Sequence, residues 1–435
     1  MVKIKNFIAV LTLFLFSSSV AWAAAPMTME DLAKSNDELR KVVSNLTNKV
    51  DDLEGRLAKA ERTPSVSVAG SPVTGEGTDG VLRTKGGDIH MDGFIDSSFN
   101  WNFATPGATA GGNNAVGNST LRAFDQPSDT FDVNNIQLNM YRPAAETGGV
   151  GFRTEFMYGT DAQNVESGGF LGGTDEFSIQ EAYAEIKVPI GTGLTVWIGK
   201  FSTLIGAEVI ENHLNWNSSR GLLFWLAEPA THTGARAMYS WFDGKVTTAL
   251  GVVNGWDLAI DNNKVKDIEA QVKWIPTENF NIAQNFIGGS QISDDRADDR
   301  YLFDTVATWV PLPQDLPKLS LMGSYDFGNE QRLGAAERGP ADWQGYAVYA
   351  RYAYNDWLTF GTRWEQFWDD EGARTGSAVI NDLWEMTYTA DIKVYQNLLT
   401  RLEYRRDQAK SATAFDTGSA NSQDTVQASF IYLFG

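Results

Sequence analysis

Cysteine is absent from all 435 residues. Disulfides, thiolate metal sites, iron–sulfur clusters and Cys-linked haem are thereby excluded, and no motif calls for another cofactor. Histidine is scarce, with only His90, His213 and His232. Positive charge is short as well. Lys and Arg number 35 against 55 Asp and Glu, a formal net charge of −20. Nucleic acid needs a basic surface, so it is not an expected partner. After residue 23 no apolar run is long enough for a transmembrane helix. A barrel remains open, because it turns only one residue in two toward lipid and keeps a low mean hydropathy. Aromatics are plentiful, at 14 Trp, 14 Tyr and 24 Phe. Trp and Tyr suit a membrane interface, where ring and polar tip are both satisfied.

Residues 1–23 have Lys3 and Lys5, an apolar run from Phe7 to Phe16, and Val20-Ala21-Trp22-Ala23. That pattern predicts a secretory signal peptide cleaved after Ala23. Residues 27–62 predict a periplasmic coiled-coil helix. Met29, Asn36, Val43, Val50 and Leu57 take the a positions, and Leu32, Leu39, Leu46, Leu53 and Ala60 the d positions. So narrow a stripe needs partner helices, and Asn36 would fix their register. A single amphipathic helix lying on the barrel or membrane is the other reading. Residues 63–87, rich in Gly, Ser, Thr and Pro, read as a flexible linker.

From 88 to 435 the chain alternates apolar and polar residues with the period of a strand. In the last stretch, Val426, Ala428, Phe430, Tyr432 and Phe434 share one face, and Thr425, Gln427, Ser429 and Ile431 the other. Ile95, Phe99 and Trp101 oppose Asp96, Asn100 and Asn102 in the same way. Such segments number about sixteen, joined by connections that are alternately short and long. The expectation is an all-β transmembrane barrel of about sixteen antiparallel strands, preceded by the coiled-coil helix. Its apolar face meets outer-membrane lipid, and its polar face meets water in a lumen too wide for side chains to fill. The inward set expected to line the pore is Arg153, Glu155, Glu181, Glu185, Lys187, Glu269, Lys273, Arg363, Glu365, Glu385, Lys393, Arg401, Glu403 and Arg405. Both signs share that face, which predicts a transverse field rather than a single-sign filter.

The connection 202–233 is the longest and is unusually apolar, with Leu204, Ile205, Val209, Ile210, Leu214 and Leu222 to Leu226. Folded into the barrel it would bury them and form a constriction. Glu208, Glu211, His213, Asn215, Asn217 and Arg220 would then face the solute path, as charge rings do in channels.

Five motifs lie here: Gly199-Lys200-Phe201, Ile205-Gly206-x-Glu208-Val209-Ile210-Glu211, Ser219-Arg220-x-Leu222-Leu223-Phe224, Thr231-His232-Thr233-Gly234 and Gly251-Val252-Val253-Asn254-Gly255-Trp256-Asp257. With Gln180-Glu181-Ala182-Tyr183 they resemble the OmpL-like putative β-barrel porins of Gram-negative bacteria, over about 88–435. The resemblance implies an outer-membrane channel and carries no residue-level site. Because such barrels resemble trimeric porins, a homotrimer through coiled coil and barrel wall is expected.

Other chemistry has weaker footing. His213 and His232 with Glu208 or Glu211 match no compact metal spacing, and loop hydrogen bonds are the plainer reading. Asp257, Asp261, Asn262 and Asn263, or Asp294, Asp295, Asp298 and Asp299, fit no EF-hand pattern. No Ser-His-Asp arrangement suggests a hydrolase, so an enzyme is not expected. The functional expectation is passive diffusion of small hydrophilic solutes or ions, with weak cation preference from the net acidity. Two alternatives stay open: a sheath holding a multihaem cytochrome in its lumen, and a scaffold that tethers the envelope through the coiled coil.

Overall fold

The computed structural model describes residues 80–84, 87–104, 119–167, 176–291, 299–313, 318–331, 339–410 and 413–435. The signal peptide, the coiled coil, most of the linker, and Asp294, Asp295 and Asp298 lie outside the described residues.

Among the described residues, seventeen strands form one antiparallel sheet. The first eight are β1 (Gly80–Thr84), β2 (Gly87–Asn102), β3 (Thr130–Arg142), β4 (Gly149–Tyr158), β5 (Phe177–Val188), β6 (Leu194–Ser202), β7 (Thr231–Trp241) and β8 (Val246–Val253). The others are β9 (Asp267–Thr277), β10 (Phe280–Ser290), β11 (Asp299–Trp309), β12 (Leu319–Glu330), β13 (Ala341–Ala353), β14 (Leu358–Trp368), β15 (Asp382–Tyr395), β16 (Leu398–Ala409) and β17 (Ser422–Phe434). From β2 onward each strand pairs with its neighbour in the chain. β17 then pairs with β2, from Thr425 opposite Asn102 to Phe434 opposite Gly93. This closes a barrel of sixteen strands, β2 to β17.

β1 is the extra strand. It pairs Gly80–Thr84 with Gly87–Met91, on the edge of β2 that β17 stops short of. An unpaired strand edge is a template for another strand. Residues 80–84 therefore extend the sheet where the sequence suggested only linker. The connections alternate as expected, so one rim carries tight turns and the other carries long loops.

The two faces sort as the alternation predicted. Phe131, Leu250, Val348, Tyr388, Leu402 and Phe430 point outward and are exposed. Asp96, Asn100, Glu269, Arg363, Glu385, Arg401 and Glu403 point inward. The expectation that water covers the inward set is overturned. Arg363, Glu365, Glu385 and Arg401 are all 0% exposed. Bare charges at such burial would be prohibitive, so something other than solvent must satisfy them.

Candidate functional site

What covers them is the connection 203–230 between β6 and β7, folded into the lumen. Ile205, Ala207, Ile210, Trp216, Leu222, Leu223, Phe224, Leu226 and Ala227 are buried. Most pack on an apolar sector of the inner wall that includes Val253, Ile287, Leu302, Val306, Met322, Trp343, Tyr349 and Phe367. Little of the segment is regular, only a 3-10 turn at Asn212–Leu214 and a π-helical turn at Leu223–Ala227. Its backbone groups thus need outside partners.

The β14–β16 wall supplies them. Arg363 donates from Nη1 to Ser219 O at 2.6 Å and pairs with Glu208 at 2.6 Å and Glu385 at 2.8 Å. Arg401 donates to Asn212 O at 2.7 Å and Asn215 O at 2.6 Å. Arg405 donates to Arg220 O at 2.6 Å. Glu403 accepts the Ser218 and Ser219 N–H groups at 2.5 and 2.9 Å, and Glu365 accepts that of Leu222. Further anchors are Asp304, which accepts Gly206 N–H at 2.8 Å, and Asp96, which accepts from Asn212 Nδ2 at 2.7 Å. Charge-assisted bonds of this kind are the stronger class. Two glycines permit the close approach. A Cβ on Gly206, whose φ is +89°, would sit 2.0 Å from Glu228 Oε2, and one on Gly361 would sit 2.4 Å from Trp216 O.

The expected constriction residues therefore divide. Glu208, Asn215, Asn217 and Arg220 are buried anchors rather than path-facing groups. Glu208 also accepts Gly221 N–H at 2.6 Å, Asn215 braces Val209 from both sides, and Asn217 donates to Thr389 Oγ1 at 2.8 Å. Arg220 donates to Ile210 O and lies 4.7 Å over the Phe124 ring. Glu211 and His213 are half-buried. Glu211 accepts from Gln180 at 2.5 Å, and His213 lies 4.6 Å from the Phe94 ring. Burial and the nearby Arg401 and Arg220 hold the His213 imidazole down at about 3.

The expected pore lining divides too. Glu269 is fully paired with Arg236 at 2.7 Å, and Arg363, Glu365, Glu385, Arg401, Glu403 and Arg405 belong to the anchor. Glu155 and Glu181 are buried, both paired with the half-buried Arg153. Glu185, Lys187, Lys273 and Lys393 are half-buried and nearer the turn rim.

Two more inward segments escaped the sequence reading. Residues 119–129 bring Arg122 to Asp407 at 2.7 Å, and helix α1 (Thr160–Val165) buries Asp161, Ala162 and Val165. Ala123, Phe124, Ala162, Val165, Ile210 and Phe224 join in one apolar cluster. Leu121 and Phe124 were the available signal, but they are few and lie in a long polar loop. At the far end of the plug, Arg374 donates to Leu226 O and lies over the Trp256 and Trp343 rings at 5.0 and 5.3 Å. Burial and nearby Arg300 lower it to about 10.

Against the β9–β11 wall the loop fits less closely. A cavity of about 230 Å³ lies between residues 202–211 and Gln271, Ala283, Asn285 and Val306. The two histidines are not brought together. His232 bonds Gly255 O and Thr203 Oγ1, each at 3.0 Å. Asp257 accepts Ala230 and Thr231 N–H groups at 2.9 and 2.8 Å, and Asp261 caps its own turn. Among the described residues no group of three or more His, Cys, Asp or Glu could hold a metal ion.

Solved structures with this fold include the outer membrane channel DcaP of Acinetobacter baumannii. It is 11% identical with TM-score 0.53, over 81% of this chain and 99% of that one. An anion-selective porin from Comamonas acidovorans is 13% identical with TM-score 0.52, over 80% and 99%. Salmonella typhi OmpF, in complex with daunomycin, is 12% identical with TM-score 0.52, over 82% and 100%. No curated relative matches in sequence. The family model "Putative beta-barrel porin-2, OmpL-like" matches residues 88–434. The chain therefore belongs to that family, and it is a β-barrel porin, a channel of the outer membrane.

Proposed function

We propose that small hydrophilic solutes or ions pass this barrel passively, along the β9–β11 side of the inward loop. The observation that carries this reading is the asymmetry of the plug. It is bonded through many charged groups to β14–β16, and it leaves its cavity against β9–β11, where Asp304 accepts the Gly206 N–H. Glu211 and Gln271 are half-buried polar groups that line that cavity. With that acid on the route and an acidic chain overall, weak cation preference is the expectation. The tight-turn rim faces the periplasm in this reading, and three copies associate through the barrel wall and the 27–62 segment.

Planar-bilayer recording of the purified full chain tests it. Small stepwise openings are expected, with a zero-current potential in a salt gradient of the sign for weak cation preference. Clear anion preference would refute the selectivity, and no openings at all would refute the route. A sheath around a cytochrome is not favoured, because this chain's own loops occupy the lumen. Family membership likewise does not favour an envelope scaffold.

A further inference from the structure

Where the three inward segments meet β2 and β3, buried acceptor oxygens gather with too few donors. The register between these strands shifts after Asp96 opposite Asn135, so that Ser97 faces Val133 and Asn134 is the extra residue. Both asparagines are buried. Asn134 spends its Nδ2 on Phe124 O at 3.5 Å, and Asn135 spends its own on Gln137 Oε1 at 3.2 Å. In these orientations both Oδ1 atoms have no donor among the described residues. Asp96 receives Asn212 on Oδ2, while its Oδ1 has no donor.

Asp161 of α1 is 1% exposed, and neither of its carboxylate oxygens accepts a hydrogen bond among the described residues. Its nearest cation is Arg220, at 3.7 Å. Asp161 and Asp96 are close enough to repel each other, with Asp132 and Asp125 adding to the negative field. Five buried oxygens thus have no hydrogen-bond donor among the described residues: Asp96 Oδ1, Asn134 Oδ1, Asn135 Oδ1 and both of Asp161.

From this we propose that the junction of β2, β3 and α1 binds one calcium ion, held by Asp96, Asn134, Asn135 and Asp161. A proton satisfies one oxygen and a water brings two hydrogens, whereas calcium takes about six to eight oxygens from carboxylates, amide carbonyls and water. A hard ion suits a donor set of oxygen alone. The two carboxylates supply the charge, partly offset by Arg220 and, at Asp96, by Arg401. The uneven geometry of a strand bulge facing a short helix suits calcium, which tolerates irregular coordination, better than magnesium, which demands an octahedron. Bound there, the ion ties α1 to the barrel wall, and through Asp96 and Asn212 it ties in the plug.

The test is calorimetric titration of calcium chloride into the full chain, purified in detergent and stripped with a chelator. One ion per chain is expected, with magnesium clearly weaker. Asp161→Asn and Asp96→Asn, which keep shape and remove charge, should each weaken binding about tenfold or more. Asp261→Asn, in an exposed loop, should leave it unchanged. Retained heat-modifiable migration on gels shows that each variant still forms the barrel. Absence of binding, meaning water alone at the junction, would overturn the proposal. So would calcium affinity equal in wild type, Asp161→Asn and Asp96→Asn, or magnesium binding as tightly as calcium.

Discussion

The inner wall of this barrel has two unlike sectors. Along β14–β16, arginine and glutamate side chains reach into the plug and bond its backbone directly. Along β9–β11 the plug meets Ala283, Val306 and Asn285 across a cavity. The first sector fixes the loop by many directional bonds, whereas in the second Asp304 accepts the Gly206 N–H and the rest of the contact is apolar packing and a cavity. The loop's position is set mainly from β14–β16, and its cavity lies against β9–β11.

The contrast breaks first at Arg363. Arg363→Ala leaves Glu208 and Glu385 buried with no partner from that guanidinium. Removing one member of a buried pair typically costs about 3–5 kcal/mol. The expected outcome is a lower urea midpoint and larger single-channel steps. Steps of unchanged size would mean that the plug is held elsewhere. Next comes Glu403→Gln, which weakens the acceptor for two loop N–H groups. Its expected cost is about 1–3 kcal/mol in the same unfolding experiment.

Ala283→Trp sharpens the comparison from the opposite sector. It fills the cavity, so conductance should fall while stability changes by less than about 1 kcal/mol, since the ring enters a void rather than a packed core. Undiminished conductance would place the route elsewhere. A pH-dependent effect is expected at His213. Its imidazole, near 3 in the docked loop, returns to an ordinary value of 6.5 when the loop leaves. The docked form therefore loses ground as pH falls from about 6.5 toward 3 and loses no more below that. Wild-type conductance should rise across that window relative to His213→Asn, and identical profiles would remove His213 from the docking balance.

The strands were legible because their information is local. A face of Trp384, Met386, Tyr388 and Ala390 against Glu385, Thr387, Thr389 and Asp391 declares its sidedness without any neighbour. The inward fold of 203–230 was legible too, from apolar residues that water would not tolerate. What Arg363, Arg401 and Arg405 do there was not. Alternation says that they point inward, but not what fills the interior, and Arg401 meets Asn212 across 189 residues of chain. The same distance hid the role of Asn217, whose side chain meets Thr389, while Asn215 braces Val209 within the loop; both read as path-facing groups and are struts. β1 was hidden for a related reason, since its partner edge exists only because β17 ends early.

The wide separation in sequence between the plug and its anchors also ties their fates together. Residues 212–220 take guanidinium and carboxylate partners from β14–β16. That set of bonds exists only while those strands hold their places in the ring. Loosening of that side of the barrel would therefore free the loop as well, and the plug serves as a reporter of whether the ring is closed.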